Sequence, residues 1–134
     1  LLKELGDAMA AFQQALVNLG LATKVTTFTQ SDFGRTFAPN STAGTDHAWG
    51  NHQLVIGASV NGNATYGKYP QLVLGGPDDV GVDSWELQGR WIPTSSVDQF
   101  ASTLLGWFGA GDGQLDKILP NLVHFGNKRS LGFL

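Results

Sequence analysis

Between positions 31 and 52 the chain gathers Ser31, Asp32, Arg35, Asp46, His47 and His52. Neutral imidazole together with carboxylate is the ligand set that suits zinc, manganese or iron. A guanidinium beside such a set suits a tetrahedral anion, because its planar fork donates to two oxygens at once. Asp46 and His47 are adjacent, so on an extended backbone their side chains diverge. They reach one metal, or two neighbouring metals, only if the chain turns at Gly44 and Gly50. His47 and His52 are spaced too irregularly for a helical pair. The same residues also suit a purely structural loop, in which Asp32 caps a turn, Arg35 pairs with it and the histidines bond loop backbone. Spacing alone leaves both readings open.

The elements that must position these residues follow from periodicity. Leu2, Leu5, Met9, Phe12, Leu16 and Leu19 recur at spacings of three and four, the face of a helix that Gly20 ends. Val25–Thr29 is β-branched and aromatic, as a strand requires, and Leu54–Ala58 reads as a second, buried strand. Gln30 to Gly50 is a polar, Gly-rich connection, long enough to expect function from it. Asn61-Gly62 predicts a hairpin-type turn leading to an extended segment around Ala64–Tyr66, and the text from Gly67 to Pro93 is irregular. Ser95 or Ser96 caps a helix whose expected buried stripe is Val97, Phe100, Ala101, Leu104, Leu105 and Phe108, closed by Gly109. A last turn, Gln114–Leu119, ends at Pro120, and the tail through Phe133 reads as loop. Helix, strand, long loop, strand and helix form an α/β pattern. In open α/β sheets ligands bind at the carboxyl ends of strands, where the loop after Val25–Thr29 lies.

Composition bounds what this arrangement does. At 134 residues there is room for one core. Eight Lys+Arg against eleven Asp+Glu, a net charge of -3, cannot supply the basic face that nucleic acid needs. There is no cysteine, which excludes disulfides and thiolate zinc sites. No apolar run approaches the length of a membrane span. With 42% hydrophobic and only 14% charged residues, the chain reads as folded. Its first residue, Leu1, is not Met and opens directly into a helix without a capping side chain. The expectation is a C-terminal part of a longer domain that packs against the N-terminal part of that domain.

Three stretches carry a resemblance. Thr-Phe-Thr-Gln-Ser-Asp-Phe-Gly-Arg-Thr (27–36), Gly-Thr-Asp-His-Ala-Trp-Gly-Asn-His (44–52) and Val-Asn-Gly-Asn-Ala-Thr-Tyr-Gly (60–67) resemble the bacterial domain of unknown function 1501 family. Gly-Arg-Trp-Ile-Pro-Thr-Ser-Ser-Val-Asp-Gln-Phe (89–100), Leu-Pro-Asn-Leu (119–122) and the terminal Leu-Gly-Phe-Leu fit the same family. The resemblance places the chain in the alkaline phosphatase and sulfatase superfamily. It implies a three-layer α/β/α sandwich with a mainly parallel sheet, residues 1–134 being its C-terminal portion. It further implies a twin-arginine export signal, a periplasmic or cell-surface location, and hydrolysis of a small phosphate or sulfate ester.

Carried over by position, the resemblance makes Asp32 the carboxylate of a metal-binding Asp-His pair and His47, with His52 as a close competitor, the later histidine before the next core strand. Phe33 stands where the pair's histidine would be, so a complete site needs Asp46 or His52 as replacement. The implied cofactor is divalent zinc, manganese, calcium or magnesium. Arg35 is the implied contact to a non-bridging oxygen, its alternatives being an ion pair with Asp32 or a backbone clamp. The superfamily's nucleophile lies upstream, outside these residues. Ser31, Thr36, Ser41 and Thr42 lack an activating base and suit turn hydrogen bonds instead. The expected alternative is a non-catalytic binding or structural module on the same fold.

Other residues carry weaker signals. His124 reads as an ordinary surface or packing histidine. Asp78, Asp79, Asp83 and Glu86 form an acidic stretch without the EF-hand spacing, and a solvated loop is the expectation. Trp49, Trp85, Trp91, Trp107, Tyr66 and Tyr69 suit packing first and a sugar groove second. Trp107 falls outside the expected stripe of its helix.

Overall fold

A computed structural model describes residues 1–80 and 88–134; Asp83, Trp85 and Glu86 lie outside them. The elements in chain order are α1 (Leu2–Asn18), β1 (Thr27–Phe28), β2 (Gly34–Arg35), β3 (His47–Ala48), β4 (Val55–Ile56), α2 (Val97–Phe108) and α3 (Asp112–Ile118), followed by a 3₁₀ helix over Pro120–Phe125. They divide into two compact units. A helical unit comprises Leu1–Thr29, Leu54–Tyr66 and Asp98–Leu134; a ribbon unit comprises Gln30–Gln53 and Gly67–Val97.

In the helical unit the two expected strands form but are short. They pair antiparallel with Thr27 opposite Ile56 and Phe28 opposite Val55, and the Thr29 amide continues the ladder to the Leu54 carbonyl at 3.0 Å. Both strand pairs among the described residues are antiparallel. Parallel neighbours need a long crossover, usually a helix, and residues 30–53 between β1 and β4 hold none. The buried side chains of this unit include Leu122, Phe133, Met9, Leu16 and Leu115, with Leu122 wholly inaccessible. Rings link up across it: Phe28 meets Phe100 at 5.8 Å, Phe100 meets Phe133 at 5.4 Å, and Tyr66 meets Phe133 at 5.8 Å.

The first two helices end at the expected glycines, but α1 buries only part of its expected stripe and α2 buries a different face. Gly20 and Gly109 follow α1 and α2 with φ of +70° and +113°, the region that favours glycine. On α1 only Met9 and Leu16 of the apolar stripe are buried, while Leu2, Phe12 and Leu19 are exposed. On α2 the buried residues are Gln99, Ser102 and Thr103, not the predicted apolar stripe, of which Val97 and Phe108 are 59% and 85% exposed.

The reason is the tail that follows the 3₁₀ helix. Its peptide groups have no sheet partner, and buried backbone must be hydrogen-bonded. The Gln99 amide donates to the Lys128 carbonyl at 2.6 Å, Ser102 donates to the Arg129 carbonyl, and the Leu131 amide donates to Thr103 Oγ1 at 2.9 Å. Residues 99, 102 and 103 share one helical face, so α2 offers the tail a row of side-chain partners. The turn expected at Asn61-Gly62 serves the same tail. The Asn61 amide and side chain donate to the carbonyls of Phe133 (2.9 Å) and Gly132 (3.1 Å), and Asn61 accepts from the Tyr66 hydroxyl at 2.8 Å.

The ribbon unit is organised by a carboxylate. Asp79, expected in a solvated acidic loop, is 2% exposed. Its Oδ2 accepts from the amides of Gly75 (3.0 Å) and Gly89 (3.1 Å), and its Oδ1 from the amide of Arg90 (2.9 Å). Asp78 accepts from the Gln71 amide at 2.8 Å. The segment so fixed, Gln88–Trp91, bonds outward on its other edge: Phe37 and Ala38 donate to Gly89 and Gln88, and Gly50 donates to Trp91. Trp91 is buried and meets Phe37 at 5.8 Å. Removing the carboxylate orphans three backbone donors. Asp79→Ala should therefore cost about 3 kcal/mol or more, read as a lower urea midpoint followed by tryptophan fluorescence. An Asp79→Ala midpoint within experimental error of the unsubstituted chain would refute this role.

Candidate functional site

The polar loop between β1 and β4 contains the β2–β3 ribbon, two elements that no sequence pattern announced. Gly34 pairs with Ala48 and Arg35 with His47. Successive residues of a strand face opposite ways, so the buried face holds Gly34 and Ala48 while Arg35 and His47 stand out to solvent. Directly opposed residues bring their side chains onto one face. The glycine is required there: a Cβ on Gly34 would lie 1.8 Å from the Gly50 carbonyl oxygen.

Three side chains stack on the outer face. The Phe33 ring meets the His47 ring edge-on at 4.8 Å, and the Arg35 guanidinium carbon lies 5.2 Å from the centre of the Phe33 ring. This is the geometry in which the electron-rich face of an aromatic ring attracts a cation. Arg35 also donates to the Thr45 carbonyl at 3.3 Å. No ion pair joins it to Asp32 among the described residues; Asp32 is simply exposed. His47 is further fixed through its backbone, whose carbonyl accepts from Arg90 Nε at 3.2 Å.

The remaining candidates point elsewhere. Asp46, adjacent to His47, diverges from it as an extended backbone dictates, and its Oδ1 accepts from Asn40 Nδ2 at 3.0 Å. Asn40 is the hub of the turn: its Oδ1 also accepts from the Thr42 amide, the Thr42 hydroxyl and the Gly44 amide at 2.8–3.1 Å. His52 stacks on Tyr69 with centroids 4.8 Å apart and planes 29° apart. The hydroxyls of Ser31 and Thr36 donate to the Phe33 and Ala38 carbonyls, both at 2.9 Å. Thr36 Oγ1 accepts in turn from the Asp46 amide at 3.1 Å.

Asp32, Asp46, His47 and His52 thus share the ribbon unit without converging. Among the described residues no three His, Asp or Glu side chains come together as a group that could hold a metal ion. Donor chemistry gives the same answer: one Asp46 oxygen is engaged by Asn40, His52 is stacked on Tyr69, and His47 packs against Phe33. The residues present do not fit a complete metal centre. They fit an exposed cation and imidazole, side by side on one face.

Sequence reasoning missed Asn40, Phe33 and Tyr69 as positioning residues. Asn40 had a usable signal, because Asn ahead of Ser-Thr-Ala-Gly is a composition that closes side-chain-to-backbone turns. The ring contacts had none, since they join residues distant in sequence or on different strands.

The family model described as protein of unknown function (DUF1501) matches residues 1–80, a span that contains the whole ribbon. No curated protein and no solved structure matches the chain.

The ribbon depends on close backbone approach, so Gly34→Ala should destabilise it by roughly 2–3 kcal/mol through overlap with Gly50. Gly6→Ala on α1, where a Cβ meets nothing within 4 Å, should instead stabilise by about 0.5–1 kcal/mol. Urea denaturation of both variants checks the pair, and equal midpoints would contradict the close-approach account.

Proposed function

The chain belongs to the DUF1501 family, and from that footing we propose that its ribbon grips the tetrahedral group of a small phosphate or sulfate ester. The observation that carries this reading is the direct pairing of Arg35 with His47, both exposed on one face. The Arg35 guanidinium offers two parallel N–H groups to two non-bridging oxygens. The His47 imidazole offers a third donor from across the ladder when its exposed ring nitrogen carries a proton. Phe33 contacts both side chains.

In this reading the chain forms part of an exported protein, periplasmic or cell-surface, built on an alkaline phosphatase-like three-layer α/β/α sandwich. The apolar residues left exposed on α1 serve as the seat for further elements of that sandwich. No helix among the described residues is long and apolar enough to cross a membrane. A divalent metal supplies Lewis acidity in hydrolases of that superfamily, but the ribbon does not provide its ligand set, so the contribution assigned to these residues is anion binding. A second reading, a non-catalytic binding module on the same fold, is favoured by Phe33, an apolar ring packed against His47 at the position where the resemblance implies a metal-binding histidine.

Titration of inorganic phosphate and sulfate into the chain, followed by calorimetry or by the His47 ring resonances, tests the proposal. Binding should weaken about tenfold or more in Arg35→Ala and only partly recover in Arg35→Lys, which keeps the charge but loses the fork. Unchanged anion affinity in Arg35→Ala would sink the site. The purified chain should not turn over p-nitrophenyl phosphate or sulfate. Turnover that disappears in His47→Ala would show that these residues are catalytic.

A further inference from the structure

The tail of the helical unit is held by a dipeptide with a chemistry of its own. In Asn61-Gly62 a side-chain amide is followed by the least hindered of backbone nitrogens, because glycine has no Cβ. Both residues are exposed, and both belong to the same unit as the tail. We propose that Asn61 is a self-modifying site, whose deamidation loosens the tail it holds and does so irreversibly.

The step needs no reactant but water. The Gly62 amide nitrogen, once its proton has passed to solvent base, attacks Asn61 Cγ. A new N–C bond closes a five-membered succinimide, the Cγ–Nδ2 bond breaks, and the side-chain nitrogen takes a proton from solvent and leaves as ammonia. One water then opens the ring at either carbonyl, leaving aspartate or isoaspartate at position 61. Negative charge develops on Asn61 Oδ1 during the attack. That oxygen accepts no hydrogen bond among the described residues, so water is free to solvate it.

The fold gates the first step and blocks the return. Asn61 Nδ2 donates to the Gly132 carbonyl at 3.1 Å, and the Gly62 amide donates to the Val60 carbonyl at 2.8 Å. Both reacting groups are therefore engaged while the tail is seated. The tail is kept seated by the Asn61 amide, which donates to the Phe133 carbonyl, and by the buried Phe133 ring between Tyr66 and Phe100. Once converted, the side chain is a carboxylate with no N–H to give, and it faces the Gly132 carbonyl as acceptor against acceptor. Each opening of the tail is a chance of conversion, and a converted chain reseats its tail less well.

Gly62 itself is not demanded by the backbone. Its φ lies outside the left-handed region, and a Cβ there would meet only the Val60 carbonyl oxygen, at 3.9 Å. Gly62→Ala thus keeps the fold while shielding the nitrogen.

Incubation of the full chain at mildly alkaline pH, followed by intact mass and fragment-ion sequencing, should show amide-to-acid conversion at Asn61. The rate should fall about tenfold or more in Gly62→Ala and rise about twofold or more in Phe133→Leu, which loosens the tail without emptying its seat. Asn61→Asp, made directly, should keep the helical circular dichroism while the Leu131 amide, bonded to Thr103 in the seated tail, exchanges its hydrogen about threefold faster or more. No conversion at Asn61, rates unchanged in Gly62→Ala or in Phe133→Leu, or an Asn61→Asp chain that loses its helical signal or exchanges Leu131 no faster would each overturn the proposal.

Discussion

The ribbon unit hangs on one buried carboxylate. Asp79 collects the amides of Gly75, Gly89 and Arg90, three donors that a loop without regular secondary structure could not otherwise satisfy away from water. A carboxylate is suited to this because its two oxygens offer several lone pairs, and charge-assisted bonds to N–H groups are the strong ones. The consequences run outward in order. Asp79 fixes Gln88–Trp91; that segment receives Phe37, Ala38 and Gly50; and Arg90 reaches the carbonyl of His47. The orientation of the exposed Arg35–His47 face therefore descends from a side chain in a different loop.

Much of the helical architecture was legible, because periodicity and glycine stops are local properties. The bounds of α1 and α2 follow from spacing and from Gly20 and Gly109. Which face α2 buries was not legible. Gln99, Ser102 and Thr103 read as the polar side of an amphipathic helix, and only the path of the tail turns that side inward. The strands at Thr27–Phe28 and Val55–Ile56 were found but overextended: β-branched composition runs on at Val25 and Thr26, and Gly57 and Ala58 continue an apolar run, beyond the residues that pair as strands.

The candidate site was half visible. Residue types located the loop and gathered Arg35, His47, Asp46 and His52 within it. Their mutual geometry depended on a ribbon of two residues per strand, too short for any alternation to show. Asp79 was hidden more deeply. Asp78-Asp79 beside Gly-Gly-Pro has the composition of a solvated turn, and nothing local distinguishes an aspartate that faces water from one that gathers three amides.

The buried face of the ribbon is backbone, one glycine and one alanine. Such a joint has no side-chain layer that must be repacked when its outer face changes. Substitution at positions 35 and 47 therefore changes the outer contacts to Phe33 and Thr45 but leaves this backbone joint without a layer to repack. A change of side chain at either position remodels the outer face, while the Gly34–Ala48 pairing beneath it stays as it is.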